Sequence, residues 1–196
     1  MTLARRKTIG GRIYQVKITL KGIRPPIWRR VQVPGIVWLL VFHDVIQTVF
    51  GWTESHLHQF LIDGMLYGRP DDFDEAVVDE TAMTLAQAIG NRIKRFDYVY
   101  DFGDNWEHEI VVENVIAGNS GNERPFCLGG KRHRPPEDCG GPLGYVEFLR
   151  AIRDPHHEEH ESMLESVGGS FDPEAFDLAT VNRDLAALSL ERWRVQ

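Results

Sequence analysis

Apolar and polar positions alternate from the start of the recognisable pattern. Tyr14, Val16, Ile18 and Leu20 interleave with Gln15, Lys17 and Thr19, as in a half-buried strand. Lys21-Gly22 and Arg24-Pro25-Pro26 interrupt it, and Ile27 to Val33 reads as the returning strand. Neither proline can donate to a sheet ladder, so both belong at the turn or the strand start. From Val37 the period changes: Leu39, His43, Ile46 and Phe50 stand three or four apart, on one face of a helix that Gly51 closes. His56 to Ile62 and Met65 to Tyr67 flank Asp63-Gly64, a two-residue hairpin signal. Arg69 to Glu80 reads as an acidic loop, and Thr84 to Ile89 as a short helix capped by Thr84 and stopped by Gly90.

The most informative pattern runs from Phe96 to Val112, two alternating runs about Gly103-Asp104-Asn105. Phe96, Tyr98, Tyr100 and Phe102 fall on one face of the first strand, and Trp106, His108, Ile110 and Val112 on one face of the second. An apolar wall thus carries a histidine, either as a satisfied core residue or as part of a site. Ala117 to Gly141 is irregular and rich in Gly, Pro and charge. Beyond it, helices are expected over Tyr145–Ile152, from Asp154-Pro155 to Val167, and over Leu178–Leu190.

This order predicts an α+β fold of the β-grasp, ubiquitin-like kind: a mixed sheet over one main helix, with an added β-hairpin and a helical C-terminal extension. Residues 1–12 are expected to be a flexible N-terminus, and 13–190 a single domain. Within it, 13–116 form the core, 117–143 an irregular cysteine-containing loop and 144–190 the helical extension.

Composition narrows the function. A net charge of −7 disfavours a general nucleic-acid or anionic-membrane binder. Two cysteines, Cys127 and Cys139, are too few for a disulfide-built scaffold. The N-terminus has basic residues but no apolar stretch behind them, and Ile36 to Phe42 is far short of a membrane span. A cytoplasmic protein with no membrane partner is expected. Phosphate-binding glycine loops and the Gly-x-Ser-x-Gly elbow are absent from the sequence, which counts against a P-loop hydrolase, dinucleotide redox chemistry and a serine hydrolase.

Three groups could carry chemistry. His56 and His58, two apart in a predicted strand, could converge on one metal ion. His108 with Asp101 or Asp104 would complete a site for zinc or another divalent ion, with either carboxylate as base or fourth ligand. The plainer alternative leaves His56 and His58 at a strand end and His108 donating to a backbone carbonyl. Cys127, Cys139 and His133 are a weaker zinc set, more simply read as residues fixing an irregular loop. Arg24, Arg29 and Arg30 around Trp28, with Trp106 and with Lys131, Arg132 and Arg134 further on, are candidate binding residues, although in so acidic a chain the plainer role of the arginines is to pair with carboxylates and stack on Trp28. His156-His157-Glu158-Glu159-His160 fails the metalloprotease spacing because position 161 is Glu161.

Taken together, several segments resemble the plasmid pRiA4b ORF-3-like family. They are Tyr14 to Leu20 with Arg24-Pro-Pro-Ile-Trp-Arg-Arg30, His43-Asp-Val-Ile-Gln47, Gly51-Trp52 and His56-Leu-His-Gln-Phe60. Asp101-Phe-Gly-Asp-Asn-Trp-Glu-His108, Cys127, Pro135-Pro-Glu-Asp-Cys-Gly-Gly141 and Phe171-Asp-Pro-Glu-Ala-Phe176 continue the set. The resemblance spans roughly Ile13 to Leu188 and implies a mobile-element context more than an activity. Some members carry the insertion-element passenger label "TnpR", which suggests a resolvase. Tyr14-Gln-Val-Lys-Ile-Thr lacks the nucleophilic serine that a serine recombinase needs there. Ile36 to Val41 is more apolar than the family's usual helix start.

The leading expectation is therefore a non-catalytic accessory module with a protein partner. Alternatives are a metal-dependent, hydrolase-like enzyme using His56, His58 and His108, and a DNA-associated factor using the arginines.

Overall fold

A computed structural model describes residues 11–70, 76–118 and 124–189. The opening alternation forms β1 (Arg12–Leu20), which pairs antiparallel with β2 (Trp28–Pro34), so Tyr14 faces Val33 and Ile18 faces Arg29 across the ladder. Pro25 and Pro26 precede β2, outside the ladder. The main helix α1 (Leu39–Phe50) ends at Gly51, whose φ of 84° only glycine adopts at little cost, and whose N–H reaches the Gln47 carbonyl at 2.7 Å. Ten of its residues are buried, so it is a core helix wrapped nearly all round rather than one with a single wet face. The sticky start is mostly absorbed: Val37, Leu39 and Val41 are buried, and only Ile36 stands well exposed.

β3 (His58–Ile62) and β4 (Met65–Gly68) join through Asp63 and Gly64, both at positive φ as the two-residue turn requires. β5 (Val77–Asp79), inside the stretch expected to be loop, pairs parallel with β4. In α2 (Leu85–Ile89), Thr84 Oγ1 accepts from the Gln87 N–H and the Gln87 side chain accepts from the Thr84 N–H. β6 (Arg95–Tyr100) and β7 (Trp106–Ala117) form the predicted hairpin, and β7 also pairs antiparallel with β1. β8 (Phe126–Lys131) adds outside β2, so the stretch expected to be irregular contains a strand.

The result is one eight-stranded mixed sheet in the order β5-β4-β3-β6-β7-β1-β2-β8. Phe42 of α1 stacks on Phe60 and tilts against Phe96, which fixes the helix against the inner sheet face. Three further helices follow: α3 (Gly141–Arg153), α4 (His160–Ser166) and α5 (Leu178–Ala187). The second begins later than Asp154-Pro155 suggests, because Asp154 instead closes α3 and accepts the His156 N–H. α5 packs against β8 and α1, with the Asn182 amide clamping the Cys127 backbone at 2.8 and 2.9 Å. No helix among the described residues is long and apolar enough to cross a membrane.

Candidate functional site

The hairpin wall forms as alternation requires: Tyr98, Tyr100, Trp106 and His108 are buried. Phe102 is the exception, since β6 ends at Tyr100 and the ring is 53% exposed in the turn. His108 meets Phe50 and Trp52 edge-on at 5.0 and 5.1 Å, with Nδ1 3.4 Å from the Tyr98 carbonyl. Nε2 finds no hydrogen-bond partner, so a proton added there would bury an uncompensated charge. Burial accordingly pushes the imidazole down to about 3, and it is neutral. Trp106 is likewise fully buried, a core residue rather than a binding surface.

His58 belongs to a different neighbourhood. At the start of β3 its Nε2 lies 2.7 Å from Glu80 Oε2, and the Glu80 residue is 3% exposed. Its ring lies flat on that of His43, centroids 3.4 Å apart and planes 6° from parallel. His43 Nδ1 is 2.7 Å from the Tyr98 hydroxyl, which accepts from Gln47 Nε2 at 3.1 Å. Burial holds the Tyr98 phenol well above its ordinary range, so it stays protonated. His43 Nε2 lies 3.8 Å from Glu54 Oε1. His43, Glu54, His58 and Glu80 line a cavity of about 460 Å³, with Leu57 and Phe102 exposed on its wall.

His56 lies before β3, in the loop after α1, so strand alternation does not govern it. Its Nε2 is 3.2 Å from Asp138 Oδ1 and 3.7 Å from Asp101 Oδ2. Asp101, at a positive φ of 56°, accepts the Gly103 and Asp104 N–H groups on Oδ1 and shapes the turn. Asp104 accepts from the Gly140 N–H at 3.2 Å and ties that turn to the loop before α3.

The expected His56/His58/His108 centre therefore does not assemble. His58 is committed to Glu80, His108 faces the core, and of the three histidines His56 is the one that lies beside Asp101. Among the described residues, two other groups bring ligand atoms within 4.8 Å of one another: His43/Asp44/Glu54 and His56/Asp101/Asp138. Sequence reading missed Glu80, Glu54 and Asp138 and took His43 for a helix-face residue. The acidic run before Glu80 and the Glu-Asp pair at 137–138 were the available signals.

Cys127, Cys139 and His133 form no such group among the described residues. Burial, then the nearby Asp104 charge, pushes the Cys139 thiol up to about 12. Cys127 is raised by burial as well, and neither cysteine is in a disulfide. His133 lies edge-on to Phe171, and its Nδ1 is 2.7 Å from the Arg134 carbonyl.

Nor do the arginines make an open basic patch. Arg29 is buried between the Phe50 and Phe176 rings and donates to the carbonyls of Val49, Trp28, Lys131 and Arg132. Desolvation lowers it to about 10, which leaves it cationic at neutral pH. Arg132 is buried against Glu174 and the Pro25 carbonyl, and Arg134 donates to the Gly51 and Pro135 carbonyls. Arg30 is paired with Glu113 and, with Lys17, flanks Trp28 on the outer sheet face. Arg24 and Lys131 remain exposed.

The family model described as plasmid pRiA4b ORF-3-like protein matches residues 12–180. An uncharacterized protein, y4hQ, of Sinorhizobium fredii (strain NBRC 101917 / NGR234) is 40% identical over 181 residues, covering 89% of this chain and 93% of the relative. A crystal structure of MM3350, a protein of unknown function from Methanosarcina mazei Go1, superposes with a TM-score of 0.79 at 39% identity. It covers 86% of this chain and 97% of that one.

Proposed function

The chain belongs to the plasmid pRiA4b ORF-3-like family, and we propose that it is a cytoplasmic, mobile-element-associated accessory protein that binds a protein partner. The plasmid in the family's description supports the setting. The strand–strand–helix–strand–strand order with α1 against the inner face supports kinship with β-grasp cores. One observation carries the binding reading. The cavity beside β3 combines three acids, Glu54, Asp79 and Glu80, against the single arginine Arg69, with exposed Leu57 and Phe102. That combination suits a basic side chain flanked by an apolar one. Thr81, the hydroxyl among the described lining residues, is held by Asp79 at 2.7 Å, an arrangement that positions a loop rather than activating a nucleophile.

Fluorescence anisotropy with labelled hexapeptides tests this reading. A Lys- or Arg-containing peptide with a neighbouring Leu is expected to bind, and Glu54→Gln to weaken it about tenfold, or about 1.4 kcal/mol. Equal binding of a Glu-containing peptide, or indifference to Glu54→Gln, contradicts it. A second reading, metal-dependent hydrolysis, is favoured by the meeting of His56 with Asp101.

A further inference from the structure

We propose that His56 Nε2, Asp101 Oδ2 and Asp138 Oδ1 form a binding site for one divalent transition-metal ion, of the zinc or manganese kind. The three ligands come from separate loops: the one after α1, the β6–β7 turn and the loop before α3. Their ligand atoms nevertheless lie within 4.8 Å of one another. His56 Nε2 is closed off from solvent, and neither carboxylate meets it in hydrogen-bond geometry although one oxygen is 3.2 Å away. The Asp101 side chain is nine-tenths buried, and two carboxylates converge on the one imidazole nitrogen. A divalent ion would satisfy the ring nitrogen and neutralise both acids together.

The loops are held in register by residues outside the ligand set. Glu137 accepts from the Thr53 N–H and hydroxyl, which docks the loop before α3 onto the loop carrying His56. The Asp101 N–H donates to the Leu57 carbonyl at 2.9 Å, and Asp104 holds Gly140. Gly141, at a φ of 67°, lies so close to the Asp104 carbonyl that a side chain there would collide with it. Such outside support is what fixes ligand geometry before an ion arrives. One imidazole nitrogen with two carboxylate oxygens suits zinc or manganese better than calcium or magnesium, which favour all-oxygen sets. The two carboxylates balance the ion's charge without the cavity acids Glu54, Asp79 and Glu80, to which the partner reading belongs. The site does not rest on that partner reading.

Isothermal titration of chelator-treated full-length protein with zinc chloride, and separately with manganese chloride, tests the proposal. One equivalent of at least one ion is expected to bind. His56→Gln and Asp138→Asn should each weaken it at least tenfold. The Asp138 side chain is 76% exposed, so its variant keeps the fold, which circular dichroism checks. Glu80→Gln should leave ion affinity unchanged while weakening the basic peptide, so failure of one reading is separable from failure of the other. Absence of saturable uptake by the wild type, or uptake that both ligand variants leave intact, overturns the proposal and leaves a plain histidine–carboxylate pair.

Discussion

His108 and His58 lie opposite ends of the same question. Both occupy strands, both lie within about 6 Å of the Tyr98 ring, and alternation gives both the same apolar face. Yet His108 is enclosed by Phe50, Trp52 and Tyr98 and kept neutral, whereas His58 touches a buried carboxylate, stacks on a second imidazole and lines a cavity. Periodicity tells which way a histidine points. What it meets there decides whether it supports the core or a site.

The contrast can be attacked from the hairpin first. Trp106→Ala removes a fully buried indole from the wall and is expected to cost about 3–5 kcal/mol in urea unfolding. Peptide and ion binding should survive in the fraction that remains folded. A smaller stability loss, or a selective binding loss, would mean that the wall is not the separate structural unit described.

Acid is the next lever. The folded pKa of His108 is about 3, below the unfolded value near 6.5, so the unfolded chain takes the proton first. Its contribution is complete above pH 6.5 and is lost as pH falls from 6.5 towards 3. Wild type should therefore lose up to about 1.4 kcal/mol more stability per pH unit in that window than His108→Leu, measured by urea unfolding at stepped pH. Identical slopes would contradict a desolvated, neutral His108. The smallest stability effect is expected at the cavity mouth. Glu54→Gln should change unfolding free energy by less than about 0.5 kcal/mol, because that side chain is half exposed.

Features fixed by local chemistry were legible in the sequence. The Asp63-Gly64 turn, the Thr84 capping box, the Gly51 stop and the β6–β7 hairpin each depend on a few neighbouring residues. β5 and β8 were not legible, since each is made a strand by a partner elsewhere in the chain. β8 contains Gly129-Gly130, which reads as loop. In the fold a Cβ at Gly130 would stand 2.7 Å from the Phe176 ring and 2.8 Å from Arg29 Cδ. The glycine is there so that the buried guanidinium and its aromatic cover can pack against the strand. The sites divide in the same way. The sequence set Asp101 beside His108, whereas in the fold it lies beside His56, and Asp138 and Glu80 reach their histidines through loop docking, which no spacing rule encodes. Around Trp28, Arg30 pairs with Glu113 and covers the indole, whereas a run of basic residues does not show that Arg29 is buried by four carbonyls.

The central claim is that function resides where α1 and the start of β3 meet, around His43, His58 and His56, while His108 belongs to the core. Long-range proton–nitrogen correlation spectra of the histidine rings, recorded while the basic hexapeptide and then zinc chloride are added, test it directly. The account predicts that His43 and His58 respond to the peptide and His56 to zinc, with His108 unmoved. A response centred on His108, or none at the other three, would contradict it.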